Sequence, residues 1–237
     1  ANENKLNLQV SPGANVKIYI PEGDVLTGLS TSDIALSAVD LTKATELRYL
    51  ELSGCSLDSI SLLYNRCLED LNLSHNRLTR LDLSGSFGNY EKNMLSRLNA
   101  SDNQLTECKI ISTRAMRYLY LNQNKFTEFD LTNYDNIEVL NLSNNLIEGE
   151  LNIAYVSNAT GIDLSSNHIT SLKFDSFERL SSLLIYNNNF TLATLPYLPE
   201  QNDYVYAPQR ELQLLENAPA VNLSDENRIL VDGKGTT

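Results

Sequence analysis

Few residues in this chain sit where they could do chemistry together. Its two histidines, His75 and His168, fall in separate stretches, and no Ser–His–Asp or Cys–His constellation is in register with either. There is no Gly-rich phosphate loop, no His-x-x-x-His pair and no calcium loop of the Asp-x-Asp-x-Asp-Gly kind. Cys55, Cys67 and Cys108 form an odd, scattered set without a Cys-x-x-Cys. They read as small buried hydrophobes rather than a disulfide framework. The chain is therefore expected to have no catalytic residues, no metal ligands and no cofactor. What composition alone would not place is aromatic. Tyr118 and Tyr120 alternate with leucine and lead to Asn122, with Arg97 and Asn99 in a similar phrase before them and Asn141 in one after. A second group holds Asp163, Leu184, Tyr186, Tyr204 and Tyr206. Ring faces, amides and a guanidinium suit a sugar or a protein surface. The plainer alternative is that tyrosine is a good strand former.

These residues sit inside a repeat. An eleven-residue phrase, aliphatic-x-x-Leu-x-Leu-x-x-Asn-x-aliphatic, starts at Leu47, Leu68, Leu95, Met116, Ile137, Ala159 and Leu180. The steps between starts are 21, 27, 21, 21, 22 and 21 residues. A period of that size is a supersecondary unit stacked on copies of itself. Within a unit, Met116, Leu119 and Leu121 alternate with Tyr118, Tyr120 and Asn122, which predicts a strand with one buried face. A second short alternating segment follows on the other side of the coil. It is written Val39-Asp-Leu41, Leu81-Asp-Leu83, Phe129-Asp-Leu131, Leu151-Asn-Ile153 and Leu172-Lys-Phe174. Stacked coils place the first strands in one parallel sheet, about 4.8 Å apart.

The outward positions of the phrase then form columns across that sheet. The third reads Tyr49, Asp70, Arg97, Tyr118, Val139, Gly161, Ser182, Tyr204, and the fifth Glu51, Asn72, Asn99, Tyr120, Asn141, Asp163, Leu184, Tyr206. The ninth position, Asn76, Asn103, Asn124, Asn145, Asn167 and Asn188, points into the turn. There its amide can bond backbone of its own and the adjacent coil, a structural ladder rather than a binding motif.

A net charge of −12 argues against a nucleic-acid partner, whose phosphates demand Lys and Arg stripes. No apolar run is long enough to span a membrane as a helix. Six Asn-x-Ser/Thr sequons occur, at Asn72, Asn99, Asn141, Asn158, Asn189 and Asn222. Three fall at the same outward strand position, so they read as by-products of the repeat rather than glycan acceptors.

From Leu26 to Gln209 the phrase resembles the leucine-rich repeat family. The 21-residue unit with its Leu78-Thr-Arg-Leu-Asp-Leu-Ser84 second half is similar to bacterial cell-surface members of the Bacteroidetes kind. The resemblance implies an α/β-type repeat solenoid, mostly β, shaped as a horseshoe. Its parallel sheet would be concave, with short extended or 3₁₀ segments on the convex side. Residues 1–25 are expected to form a β-hairpin cap, 26–209 the solenoid with a degenerate first coil and a last capping strand, and 210–237 a tail or the start of a further β-domain. The six extra residues of the second repeat, in Gly85–Lys92 with Phe87 and Tyr90, read as a loop that either binds or is merely tolerated.

The expected function is non-catalytic recognition of a protein or carbohydrate through the concave face, at a cell surface or outside the cell. The alternative is a spacer within a larger bacterial surface protein. Binding is expected to centre on Arg97, Asn99, Tyr118, Tyr120, Asn122 and Asn141.

Overall fold

The computed structural model describes residues 24–36, 38–84, 94–110, 115–132, 134–175, 178–196 and 203–209. The expected hairpin cap up to residue 23, the Gly85–Lys92 insertion and the tail from 210 lie outside the described residues. The chain divides into two compact units, residues 1–116 and 117–237. Each is a mostly β, parallel solenoid.

In the first unit, β1 (Gly28–Ser30), β2 (Tyr49–Glu51), β3 (Asp70–Asn72) and β5 (Arg97–Asn99) pair in that order, all parallel. On the other side of the coils β4 (Arg80–Asp82) pairs with β6 (Glu107–Lys109). In the second unit, β7 (Tyr118–Tyr120), β8 (Val139–Asn141), β10 (Gly161–Asp163), β12 (Ser182–Leu184) and β13 (Asp203–Val205) form the equivalent parallel sheet. There β9 (Glu148–Asn152) and β11 (His168–Lys173) pair opposite it, and a 3₁₀ turn covers Ala154–Val156. Of the expected second segments, Leu81, Leu151 and Leu172 fall in strands, whereas Val39–Leu41 and Phe129–Leu131 do not.

The strands of the repeated phrase are only three residues long because the chain must leave the sheet after each pass to close a coil. What holds a coil is its apolar set. Leu68, Leu71, Leu73 and Leu78 of one coil are 0 % exposed, as are Ile137, Leu140 and Leu142 of another. At roughly 1.5–3 kcal/mol per buried aliphatic side chain, this core is the main stabilising term.

The turn after each outward-column strand but the last has one shared feature. The eighth position is left-handed in every described coil before the last, which has Pro208 there: Asp33, Gly54, His75, Asp102, Gln123, Asn144, Ser166 and Asn187, with φ between 53° and 64°. Asn, Asp and His tolerate that region better than most residues, and Gly adopts it freely. The ninth-position Asn then turns inward. Asn145 Nδ2 donates to Leu121 O at 3.0 Å, Leu142 O at 3.0 Å and Ser143 O at 3.3 Å, and its Oδ1 accepts from Phe126 N at 3.2 Å. Asn76, Asn103, Asn167 and Asn188 repeat the pattern, and all, with Asn124, are buried. Buried backbone groups that the short strands cannot pair are thereby satisfied.

Candidate outward-face site

The strand columns emerge in register within each unit. Tyr118 lies opposite Val139, which lies opposite Gly161, which lies opposite Ser182; Tyr120, Asn141, Asp163 and Leu184 form the adjacent column. Of the expected central group, Tyr118, Tyr120, Asn122 and Asn141 thus share the outward face of the second unit. Arg97 and Asn99 stand on the outward face of the first, where Arg97 Nε lies 3.5 Å from Asp70 Oδ2. Burial raises Asp70 above the usual carboxylate value, against the pull of Arg97.

The second expected group is not assembled as the alternation suggested. Asp203, not Tyr204, pairs with Ser182, and Val205 pairs with Leu184. Tyr204 stands opposite the buried Leu183, its hydroxyl donating to Pro196 O at 2.9 Å and its ring 5.0 Å from that of Tyr206. Desolvation pushes the Tyr204 phenol well above its ordinary value. Tyr204 and Tyr206 belong to the inner column, while Asp163, Leu184 and Tyr186 remain on the outward side.

The one-residue slip has a physical cause. Gln209 fills the ninth position of this last coil. Its Oε1 accepts from Asn188 N at 3.2 Å and Phe190 N at 3.3 Å, and its Nε2 donates to Ile185 O at 3.1 Å and to Tyr206 O. It lies 21 residues after Asn188, the usual step, and that spacing was the signal for the register.

A hydrogen-bond rule governs the fifth column. Asn141 Oδ1 accepts from Ser143 N at 2.9 Å and Ser143 Oγ at 2.8 Å; Asp163 Oδ1 does the same with Ser165 at 3.0 and 2.6 Å. Asn99 bonds Ser101 N and Oγ in this way, Asn72 bonds Ser74 N, and Glu51 bonds Ser53 N. These are side-chain-to-backbone turns two residues on, and they account for the Asn-x-Ser spelling of three sequons. The carbonyl oxygens of Asn99 and Asn141 are thus engaged within their own strands.

Apart from the end strands β1 and β13, whose fifth positions are Ser30 and Val205, two strands break the rule. In β7 the fifth position is Tyr120 and the seventh Asn122, whose Nδ2 reaches Gln123 Oε1 at 3.5 Å. In the β12 coil the two positions are Leu184 and Tyr186. Tyr120 and Leu184 are both part-exposed, and no hydrogen bond of the Tyr120 hydroxyl occurs among the described residues. Tyr118 is different: its hydroxyl donates to Glu138 Oε2 at 3.3 Å, and Arg117 Nε lies 3.8 Å from Glu138 Oε1.

The remaining titratable groups build no reacting centre. His75 Nδ1 lies 2.5 Å from Asp102 Oδ2 on the turn edge of the first unit. Among the described residues no group of three or more His, Cys, Asp or Glu could hold a metal ion. Cys55 is buried, but Cys67 and Cys108 are part-exposed, which corrects the expectation of three buried cysteines. Desolvation pushes the Cys108 thiol up to about 12, with Asp82 adding to it, and raises Cys55 and Cys67. Among the described residues, no helix is long and apolar enough to cross a membrane.

The Leucine Rich Repeat family model matches residues 67–89. The human oligodendrocyte-myelin glycoprotein is 28% identical over 158 residues, covering 64% of this chain and 35% of that protein. The functional domain of InlJ from Listeria monocytogenes shares the fold with a TM-score of 0.57 at 22% identity, covering 81% of this chain and 46% of that one. YopM from Yersinia enterocolitica gives 0.52 at 22% identity, covering 81% and 49%. The chain therefore spans about a third of the curated relative it matches and under half of the first of these structures. Domains of this fold are commonly protein-interaction modules and typically non-catalytic. Seven repeated phrases, parallel coils with inward Asn residues, the family match and the shared fold together support a leucine-rich repeat protein.

Proposed function

We propose that the chain is a non-catalytic recognition module whose ligand, a protein or a glycan, docks on the outward face of the second unit's sheet. The observation that carries this reading is Tyr120. It stands where five other strands place a carboxylate or amide bonded to the residue two positions on. A repeat that breaks its own local rule without a compensating hydrogen bond points to function at that position. Leu184 and Tyr186 break the rule at β12. Between the two strands the outward positions are Val139, Asn141, Gly161 and Asp163, so aromatic and aliphatic groups flank a polar middle. Tyrosine anchors with satisfied polar neighbours are what interface centres are made of.

The reading extends to a bacterial cell surface or the extracellular space, on the likeness of the Leu78–Ser84 phrase to bacterial surface members of the family. The spacer reading draws on one observation: Tyr118, Asn141 and one Asp163 oxygen are already engaged internally. Glycan arrays and arrays of extracellular proteins, probed with the chain, separate the readings. Saturable binding to one class supports recognition, and silence on both supports the spacer.

A further inference from the structure

The middle of this face has a shape and a charge of its own. Gly161 is the one glycine in the outward columns of the second unit, and a Cβ built on it would meet no atom within 4 Å. It leaves a gap of open space in the column between Val139 on β8 and Ser182 on β12, a notch one side chain deep. Asp163 stands two residues on, on the same face, with Leu184 beside it on the next strand. Its Oδ1 is held by Ser165, while Oδ2 accepts no hydrogen bond among the described residues. The outward columns of β7, β8, β10, β12 and β13 contain the carboxylates Asp163 and Asp203 and no Lys or Arg. Arg117, next to the face, is held by Glu138.

We infer that the Gly161 notch and Asp163 form a subsite for a lysine or arginine side chain presented by an extended segment of a protein partner. This rests on the recognition reading above and names its ligand. The notch takes the methylene stem against Val139 and Leu184, since long cationic side chains pack their stems on apolar surface. Asp163 Oδ2 then accepts from the ammonium or guanidinium, a charge-assisted hydrogen bond. Asp163 and Asp203, with no cation in the columns, steer a basic segment to this face. A neutral glycan would use the rings but gain nothing from that charge.

The test uses the full chain, isotope-labelled for amide NMR, and two hexapeptides, acetyl-(Thr-Lys)₃-amide and the same peptide with each lysine acetylated. The expected result is saturable movement of the Gly161 and Asp163 amides with the first peptide and not the second. Asp163→Asn should weaken binding about tenfold, or roughly 1.4 kcal/mol. Gly161→Val fills the notch without changing charge, in open space on an extended strand, and should weaken binding comparably while melting like the parent. If shifts spread over the acidic surface and Gly161→Val binds as the parent does, the subsite is overturned as mere charge attraction. If both peptides bind this face equally and Tyr120→Ala abolishes it, the cation subsite fails while the recognition reading stands. If neither peptide moves any amide of the five strands and array ligands bind a Tyr120→Ala variant normally, both readings fail.

Discussion

Tyr118 donates its hydroxyl to Glu138 Oε2 at 3.3 Å, one coil further on, and Tyr49 makes the same bond to Glu69 at 3.4 Å. In both places the preceding arginine, Arg117 or Arg48, pairs with that glutamate. An Arg-Tyr dipeptide reaching the second position of the next coil is therefore a rung of the solenoid. This divides the two tyrosines of β7: Tyr118 is tied to its neighbour, and Tyr120 is the candidate contact.

Tyr118→Phe keeps the ring and removes the bond. Because both partners are part-exposed, the loss of stability should be about 1 kcal/mol or less. Ligand affinity should be nearly unchanged. Urea unfolding and a binding titration check this, and a large affinity loss would mean that the hydroxyl serves the ligand.

Asn145→Ala removes a buried side chain with three donated bonds and one accepted. It should cost about 3 kcal/mol, since several buried carbonyls and an amide lose partners at once. Asn141→Ala, on the outward face, should cost about 1 kcal/mol or less. Equal losses in denaturant unfolding would contradict the assigned roles.

Asp40, Asp82 and Asp130 are held below the usual carboxylate value. For Asp40 the Thr42 amide leads; for Asp82 and Asp130 the hydroxyls of Ser84 and Thr132 lead. Their folded values lie below the unfolded one, so on acidification the unfolded chain takes up these protons first. Their stabilisation is full above about pH 4 and is lost as pH falls through the folded values. Unfolding midpoints between about pH 5 and pH 2 should drop accordingly, and less so in Asp82→Asn/Asp130→Asn, where the acceptor no longer titrates. A flat profile would contradict the assigned bonds.

All three thiols are raised, Cys108 to about 12. Iodoacetamide at about pH 8 should label the native chain slowly, because only the thiolate reacts. Cys67, part-exposed and less raised by burial than Cys108, should react first. Mass spectrometry of the labelled protein shows the order, and rapid labelling of Cys108 would place its sulfur at the surface.

The repeat and its strands were legible because aliphatic spacing has one solution when it recurs at 21 residues. The ninth-position asparagines were legible for a related reason: one amide type at one turn position has a backbone task. Three things were not. The left-handed eighth position is written by eight residues of six types, which no motif captures. The bond from the fifth position to the seventh hid inside Asn-x-Ser, a spelling with a competing meaning. The last strand was misread by one residue because Tyr204 and Tyr206 resemble outward aromatics, whereas the spacing of Gln209 from Asn188 fixes the register.

The most direct test of the central claim compares three chains on the same glycan and extracellular-protein arrays: the parent, Tyr120→Ala, and Tyr155→Ala. Tyr155 is 43 % exposed in the 3₁₀ turn on the far side of the second unit's coils. All three should melt alike. Ligands of the parent should lose about 2 kcal/mol or more of affinity with Tyr120→Ala and be unaffected by Tyr155→Ala. Ligands that bind Tyr120→Ala as tightly as the parent, and lose affinity with Tyr155→Ala, would show that recognition lies off the strand face.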